Sequence, residues 1–214
     1  MIEKIKIGIK GATLLHREFG VSYLQIFNAI FKKDKTITMH IKNLPVSMNI
    51  RKVLLFSNLL SDIKKYGWEI TSVSNNLIIY ENKQKGIKLY SDINKDPFYN
   101  GTIDEVFVQE LYKSDFKNKA VIDVGAYLGE SAIYFAINGA KKVIALEPDE
   151  ENYKLALMNV KENSLENKIV LLNKALASNE GVINFYKYLP LPTCSSTDPN
   201  NRPKVDGKTI VKQV

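Results

Sequence analysis

The sequence predicts an α/β protein: a doubly wound parallel sheet in its second half, preceded by a smaller α+β region. Three observations carry this. From residue 102 onward, short apolar strands alternate with helical segments, the pattern of parallel strands joined by crossover helices. Those strands are continuous apolar runs, as in VIALEP at 143–148, which implies a sheet covered on both faces. Finally, VIDVGAYLGES at 121–131 reads as a strand, a glycine turn and a helix start, the opening of a βαβ unit. The polar stretch Ser91–Gly101 is the expected joint, giving a region of residues 1–99 and a domain of residues 100–214.

The elements follow in order. Residues 3–31 carry apolar positions at helical spacing, interrupted by Gly8, Gly11 and Gly20, so one helix or two are both open. Thr36–Ile41 alternates as a strand does, and 50–66 is an amphipathic helix stopped by Gly67. Trp68–Val73, Leu77–Tyr80 and Ile87–Tyr90 are short runs separated by polar turns, which predicts an antiparallel meander. A helix is expected over Ile103–Tyr112, then a strand at Ala120–Val124 and a helix over Gly129–Asn138. Val143–Glu147 is the second strand of the repeat. Asp149 is a plausible N-cap for a helix through Asn163, with Glu150 and Glu151 in its first turn. Ile169–Leu172 and Val182–Tyr188 are the last expected strands.

The glycine turn narrows the ligand. A dinucleotide fingerprint needs G-x-G-x-x-G to seat a pyrophosphate at a helix N-terminus. Here the turn is Gly125-Ala126-Tyr127-Leu128-Gly129, with Tyr127 where a second glycine is required. That side chain would crowd a pyrophosphate, and Asp123 just before the turn would repel one. Asp123 suits instead a ligand with a positive centre, an ammonium or a sulfonium. Glu147, at the end of the next strand, suits a ribose diol. S-adenosylmethionine offers both positive centres and a ribose, and is the expected cofactor.

Bulk properties limit the alternatives. A length of 214 residues allows one or two domains, and 45% hydrophobic with 25% charged residues is ordinary for a globular protein. No apolar run reaches the roughly 18 residues of a membrane span. With Cys194 as the single cysteine, an internal disulfide is excluded, and a cytoplasmic location is expected. A net charge of +7 fits nucleic acid, an acidic small substrate or a membrane surface, although the lysines fall in short groups at helix ends and turns. No cluster of metal ligands is evident. His16 and His40 lie far from the glycine turn, and Cys194 has no evident base partner, so no catalytic residue emerges.

The stretch from Val121 to Leu176, with its acidic-Gly-Ala-x-x-Gly turn, its Ala-Leu-Glu-Pro strand end and the Asn-Tyr that follows, resembles the class I S-adenosylmethionine-dependent methyltransferases. Within them it is most similar to the FkbM family. The resemblance covers residues 100–190 and implies a Rossmann-like sheet. It implies that Asp123 lies near the methionyl end of the donor and that Gly125 and Gly129 let the backbone pass close to it. Ala126 and Tyr127 would line the pocket, Glu147 would take the ribose hydroxyls, and Pro148 would shape the adenine side. Asn173, after the third strand, would face the adenine ring. The implied activity is methyl transfer to a hydroxyl of a sugar or other small molecule. The basic balance keeps an RNA acceptor open as the alternative. The family's Leu-Asp-Asp segment and Lys-x-Asp-x-Glu-Gly-type motif do not occur in this sequence. The chain is therefore expected to supply the donor half of an incomplete sheet, as a donor-binding fragment or one half of a split enzyme. Self-association or a partner chain would complete the sheet.

Overall fold

The structure, a computed structural model, describes residues 12–31, 36–187, 195, 197, 198 and 207–213. The helical expectation for residues 3–11 lies outside these. Helix α1 (12–19) and helix α2 (Tyr23–Phe31) are separate. Gly20 breaks them with φ of 65°. Ser22 then opens α2 with a capping box: its hydroxyl accepts from the Gln25 amide while the Gln25 side chain accepts from the Ser22 amide.

Strand β1 (Thr36–Ile41) is as expected, but it pairs with an unforeseen antiparallel strand, β2 (Leu44–Asn49). Pro45 disguises β2 in the sequence. It is tolerated because this pair has only two strands, each an edge. Helix α3 (Ile50–Lys64) is capped by the Asn49 side chain, which accepts from the Arg51 amide. Strands β3 (Trp68–Ser74), β4 (Leu77–Asn82) and β5 (Ile87–Asp92) form the expected meander in the order β3-β4-β5. Asn75 and Asn76 both have positive φ, 49° and 67°, as a two-residue hairpin turn requires.

The segment after β5 is polar in sequence, yet Asp96, Tyr99 and Asn100 are buried. The helix predicted over Ile103–Tyr112 is displaced. Helix α4 (Tyr99–Ile103) starts earlier and runs into a single π turn over Asp104–Val108. Two contacts explain the shift. The Asn100 amide donates to the Phe56 carbonyl (2.8 Å), which anchors the helix start on α3. Past the π turn, Glu110 takes a positive φ of 51°, which no helix continues through.

Strands β6 (Ala120–Val124), β7 (Lys142–Leu146) and β8 (Ile169–Leu172) are parallel and lie in the order β6-β7-β8. Helices α5 (Glu130–Ile137) and α6 (Glu150–Glu162) are their crossovers and touch one another, so they share a face. On that side Val143, Ala145 and Ile169 are buried. Cover of this sheet is seen on one face among the described residues. Ile122 is 67% exposed and Val124 55% exposed, and Ile144 and Val170 are exposed too. Among the described residues the helices lie on one face only. The predicted strand at Val182–Tyr188 exists as β9 (Gly181–Lys187). It pairs antiparallel with β10 (Gly207–Gln213) in a separate sheet over a small core of Ala175, Phe185 and Val211.

The two halves share one core. A single hydrophobic cluster runs from Leu15 through Phe56, Trp68 and Tyr99 to Ile169. Helix α6 adds polar ties to the meander. The Asn159 carbonyl oxygen accepts from the Tyr90 amide (2.7 Å), and its NH2 donates to the Tyr90 and Leu128 carbonyls (3.2 and 2.8 Å). One turn on, Asn163 makes the same double contact with Lys88 (2.9 and 2.6 Å). The two side chains thus stand in for a strand along the outer edge of β5.

Candidate functional site

The glycine turn joins β6 to α5 at the C-terminal ends of the parallel strands, where open α/β sheets form their crevices. The amides of Gly125 and Ala126 both donate to the Leu146 carbonyl (2.8 and 2.9 Å), so the turn begins by leaning over the tip of β7. Gly125 and Gly129 have φ of 83° and 85°, values that suit glycine because it has no Cβ to clash. Tyr127 holds φ of 49° without that freedom, a conformation uncommon for a bulky residue. It is fixed at both ends. Its amide donates to Glu147 Oε2 (2.9 Å), and its hydroxyl donates to Asp96 Oδ2 (2.9 Å).

Glu147 sits just past β7 and is buried. Its second oxygen, Oε1, accepts from the Asp149 amide (2.9 Å). The Asn152 side chain also hydrogen-bonds this carboxylate, and the acceptor capacity that remains faces the cleft. Asp149 in turn caps α6, accepting from the amides of Glu151 and Asn152, and pairs with Lys187. Asp123 accepts from the Ser131 hydroxyl (2.7 Å) on the first turn of α5. Glu130, next to it, is buried within 3.4 Å of the Tyr99 hydroxyl.

These groups surround a cleft of about 480 Å³ lined by Asp96, Asp104, Glu105, Glu130 and Glu147, with Phe98, Tyr112 and Tyr127 among its walls. Among the described residues that line it there is no lysine or arginine, although the chain as a whole carries a net +7. Burial dominates the protonation of these acids. It pushes Glu130 up to about 8 and Glu147 up to about 7, the latter against the pull of the Asp149 and Tyr127 amides. Burial also raises Asp96 and Asp123, with the Tyr127 and Ser131 hydroxyls acting in the opposite direction. A cavity of this kind favours a cationic guest that also offers hydroxyl donors. Both features belong to an adenosyl sulfonium.

The residues expected from sequence fall at different depths. Gly125, Tyr127, Glu147 and Pro148 line the cleft together. Ala126 is fully buried, and a Cβ on Gly129 would meet Ala156 at 3.4 Å, so Gly129 fits the turn to α6 and does not line the cleft. Asp123 lies beneath the cleft wall, held to Ser131. Asn173 donates to the Glu147 and Pro148 carbonyls (2.9 and 3.2 Å), leaving its own oxygen free to accept. It borders an adjoining hollow of about 510 Å³ that meets the first cleft at Pro148. Ser195 lines the main cleft, while Cys194 lies outside the described residues. His16 and His40 belong to the N-terminal elements, away from the cleft. Among the described residues no group of side chains could hold a metal ion, and no helix is long and apolar enough to cross a membrane.

Sequence reasoning missed Asp96, Tyr99, Glu130 and the π-turn acids. Glu130 and Ser131 directly follow Gly129, so their adjacency to the turn was a usable signal. Asp96 gave none, being one polar residue in a polar stretch.

No protein-family model matches the chain. Among curated proteins it is similar to the tRNA(Phe) (4-demethylwyosine(37)-C(7)) aminocarboxypropyltransferase of Pyrococcus horikoshii. The two are 25% identical over 127 residues, 59% of this chain and 44% of that protein. The chain thus spans less than half the length of that relative. Among solved structures it is similar to P. horikoshii TYW2 in complex with MeSAdo (25% identity, 50% of this chain and 39% of that one, TM-score 0.41). It is also similar to the M. jannaschii tRNA m1G37 methyltransferase (23% identity, 55% and 46%, TM-score 0.35). Both scores are low, and the fold assignment rests on the strand order and register described above.

Proposed function

We propose that this chain is the donor-binding part of an S-adenosylmethionine-dependent methyltransferase whose acceptor is RNA. One observation carries the donor assignment: Glu147, clamped by the Tyr127 and Asp149 amides at the tip of β7, presents its carboxylate to a ribose diol in a cleft walled by acids. Bound there, the donor supplies a carbon already activated by its sulfonium. The chain's own residues do the rest. Glu147 orients the sugar, Asp123 and Glu130 give the positive centre an acidic setting, and the π turn bounds the cleft where an acceptor would enter. Such positioning is worth several kcal/mol of barrier.

RNA is favoured over the saccharide hydroxyl implied by the FkbM resemblance. The support is the likeness to a tRNA-modifying relative, together with the net charge of +7. That relative also supports a second reading of the chemistry. An aminocarboxypropyl group is another of the carbon substituents on the same sulfonium, so a cleft that presents a different carbon to the acceptor would transfer it instead.

The test uses the full chain with bulk tRNA and donor labelled separately in the methyl and in the carboxyl group. Methyl transfer labels RNA only from the first and releases S-adenosylhomocysteine. Aminocarboxypropyl transfer labels RNA only from the second and releases methylthioadenosine. Retention of the chain on RNA should fall steeply with salt. No retention at low salt would remove RNA as the acceptor.

A further inference from the structure

The Tyr127 backbone conformation needs a reason. A bulky residue at φ 49° is held there against its own preference, at a cost on the order of 1 kcal/mol. The surrounding structure has to supply the hold. Asp96 supplies it from outside the parallel sheet. This residue follows β5, is 7% exposed, and divides its two oxygens: Oδ1 accepts from the Phe98 amide (2.9 Å), and Oδ2 from the Tyr127 hydroxyl (2.9 Å). The Tyr127 ring also packs near Tyr99 of α4, with centroids 6.3 Å apart. At its other end the Tyr127 amide is one of the two backbone donors that fix Glu147. A chain of contacts therefore runs from the meander through Asp96 and Tyr127 to the carboxylate assigned to the ribose.

We propose that Asp96 is a positioning residue for the donor, acting through Tyr127. By holding the tyrosine hydroxyl it fixes the glycine turn, so that the Tyr127 amide keeps Glu147 aimed into the cleft. The N-terminal region thereby shapes the donor pocket without supplying the ribose ligand. This inference rests on the donor reading above.

Calorimetric titration of S-adenosylhomocysteine into the full chain tests it. Tyr127→Phe removes only the hydroxyl, and Asp96→Ala removes the acceptor. Each is expected to weaken binding roughly tenfold, the loss of one hydrogen bond to a charged group. The double variant should be no weaker than either single one, because both break the same link. Asp96→Asn should bind nearly as the wild type does, since its NH2 can donate to the tyrosine oxygen while its carbonyl keeps the Phe98 amide.

A merely structural role would not move the pH profile. The Tyr127 amide pulls the proton affinity of Glu147 down, so weakening that contact should raise the pH at which binding is half lost. The other titratable groups acting on Glu147 are Asp149, Glu130 and the Tyr127 hydroxyl; Asp96 also raises Glu130, so Tyr127→Phe, which keeps the Asp96 carboxyl, gives the cleaner midpoint. Wild-type affinity and an unmoved midpoint in Asp96→Ala would overturn the inference, as would additive losses in the double variant. The donor reading is judged separately. If the wild type binds no S-adenosyl compound, that reading falls and takes this inference with it. If the wild type binds and Glu147→Ala does not, while Tyr127→Phe and Asp96→Ala bind normally, only the role of Asp96 falls. Should Asp96→Ala not fold, Tyr127→Phe and Asp96→Asn carry the comparison.

Discussion

The two three-stranded sheets of this protein are finished differently. The meander β3-β4-β5 buries alternate residues of β4 and β5 in the shared core, and the outer edge of β5 is hydrogen-bonded by Asn159 and Asn163. The parallel sheet β6-β7-β8 has helices on one face only, and Ile122, Val124, Ile144 and Val170 on the other face are exposed. The first sheet is closed by side chains borrowed from the second unit. The second offers an apolar face that nothing among the described residues closes. Yet the ligand crevice sits at the tips of the less finished sheet. Its geometry is held by hydrogen bonds at Tyr127, Asp149 and Asp96, which do not depend on the open face.

The strongest way to break this contrast is Asn159→Ala. Asn159 is fully buried and serves the Tyr90 amide and the Tyr90 and Leu128 carbonyls. Leaving these without partners should cost about 3 kcal/mol, read as a lower denaturant midpoint. A loss below about 0.5 kcal/mol would mean that α6 does not close the meander. Glu147→Ala comes next. It should weaken S-adenosylhomocysteine binding about ten- to a hundredfold, and it should lower stability by about 1–3 kcal/mol because the Tyr127 and Asp149 amides lose their acceptor.

The sheet faces can be compared directly. Val143→Ala, on the helix-covered face, should cost about 2 kcal/mol, whereas Ile122→Ala, on the open face, should change stability by less than about 0.5 kcal/mol. Equal losses would mean that the open face is covered in the folded protein. The pH dependence of binding sharpens the comparison further. Diol hydroxyls donate to a charged carboxylate, so the donor binds the deprotonated form of Glu147. With that group raised to about 7, affinity should be full above neutrality and fall about tenfold per unit below it. Glu147→Gln should flatten the profile.

The smallest effect concerns stability. Glu130 is raised by burial to about 8, above its unfolded value. Its contribution is therefore fully present in acid and is lost as pH rises through about 8. Thermal midpoints should fall from pH 5 to pH 9, and Glu130→Gln should reduce that fall by a few degrees.

Much of this architecture is legible in the sequence because its signals are local. The strand–turn–helix around Gly125, the Asp149 cap and the paired asparagines at 75 and 76 each encode their own geometry. The crevice residues Gly125, Tyr127, Glu147 and Pro148 are legible for the same reason: two adjacent parallel strands must end side by side. What escaped was non-local. Strand β2 is hidden by a proline whose edge position only the pairing reveals. The π turn depends on where Asn100 is anchored on α3. The open face could not be read from VIDV or VIAL, since an apolar run looks the same whether one side or both are covered. Asp96 acquires its role only when the fold brings it to Tyr127.

Helix α6 also checks alignment. Lys88 and Tyr90 are two residues apart in β5, so their amides leave the strand on the same side and meet the asparagines one helical turn apart. Were β5 to slide by a single position, those amides would turn inward and both asparagines would lose their partners at once. The helix thus penalises a misregistered meander, and it does so with the same body whose N-terminal cap steadies Glu147.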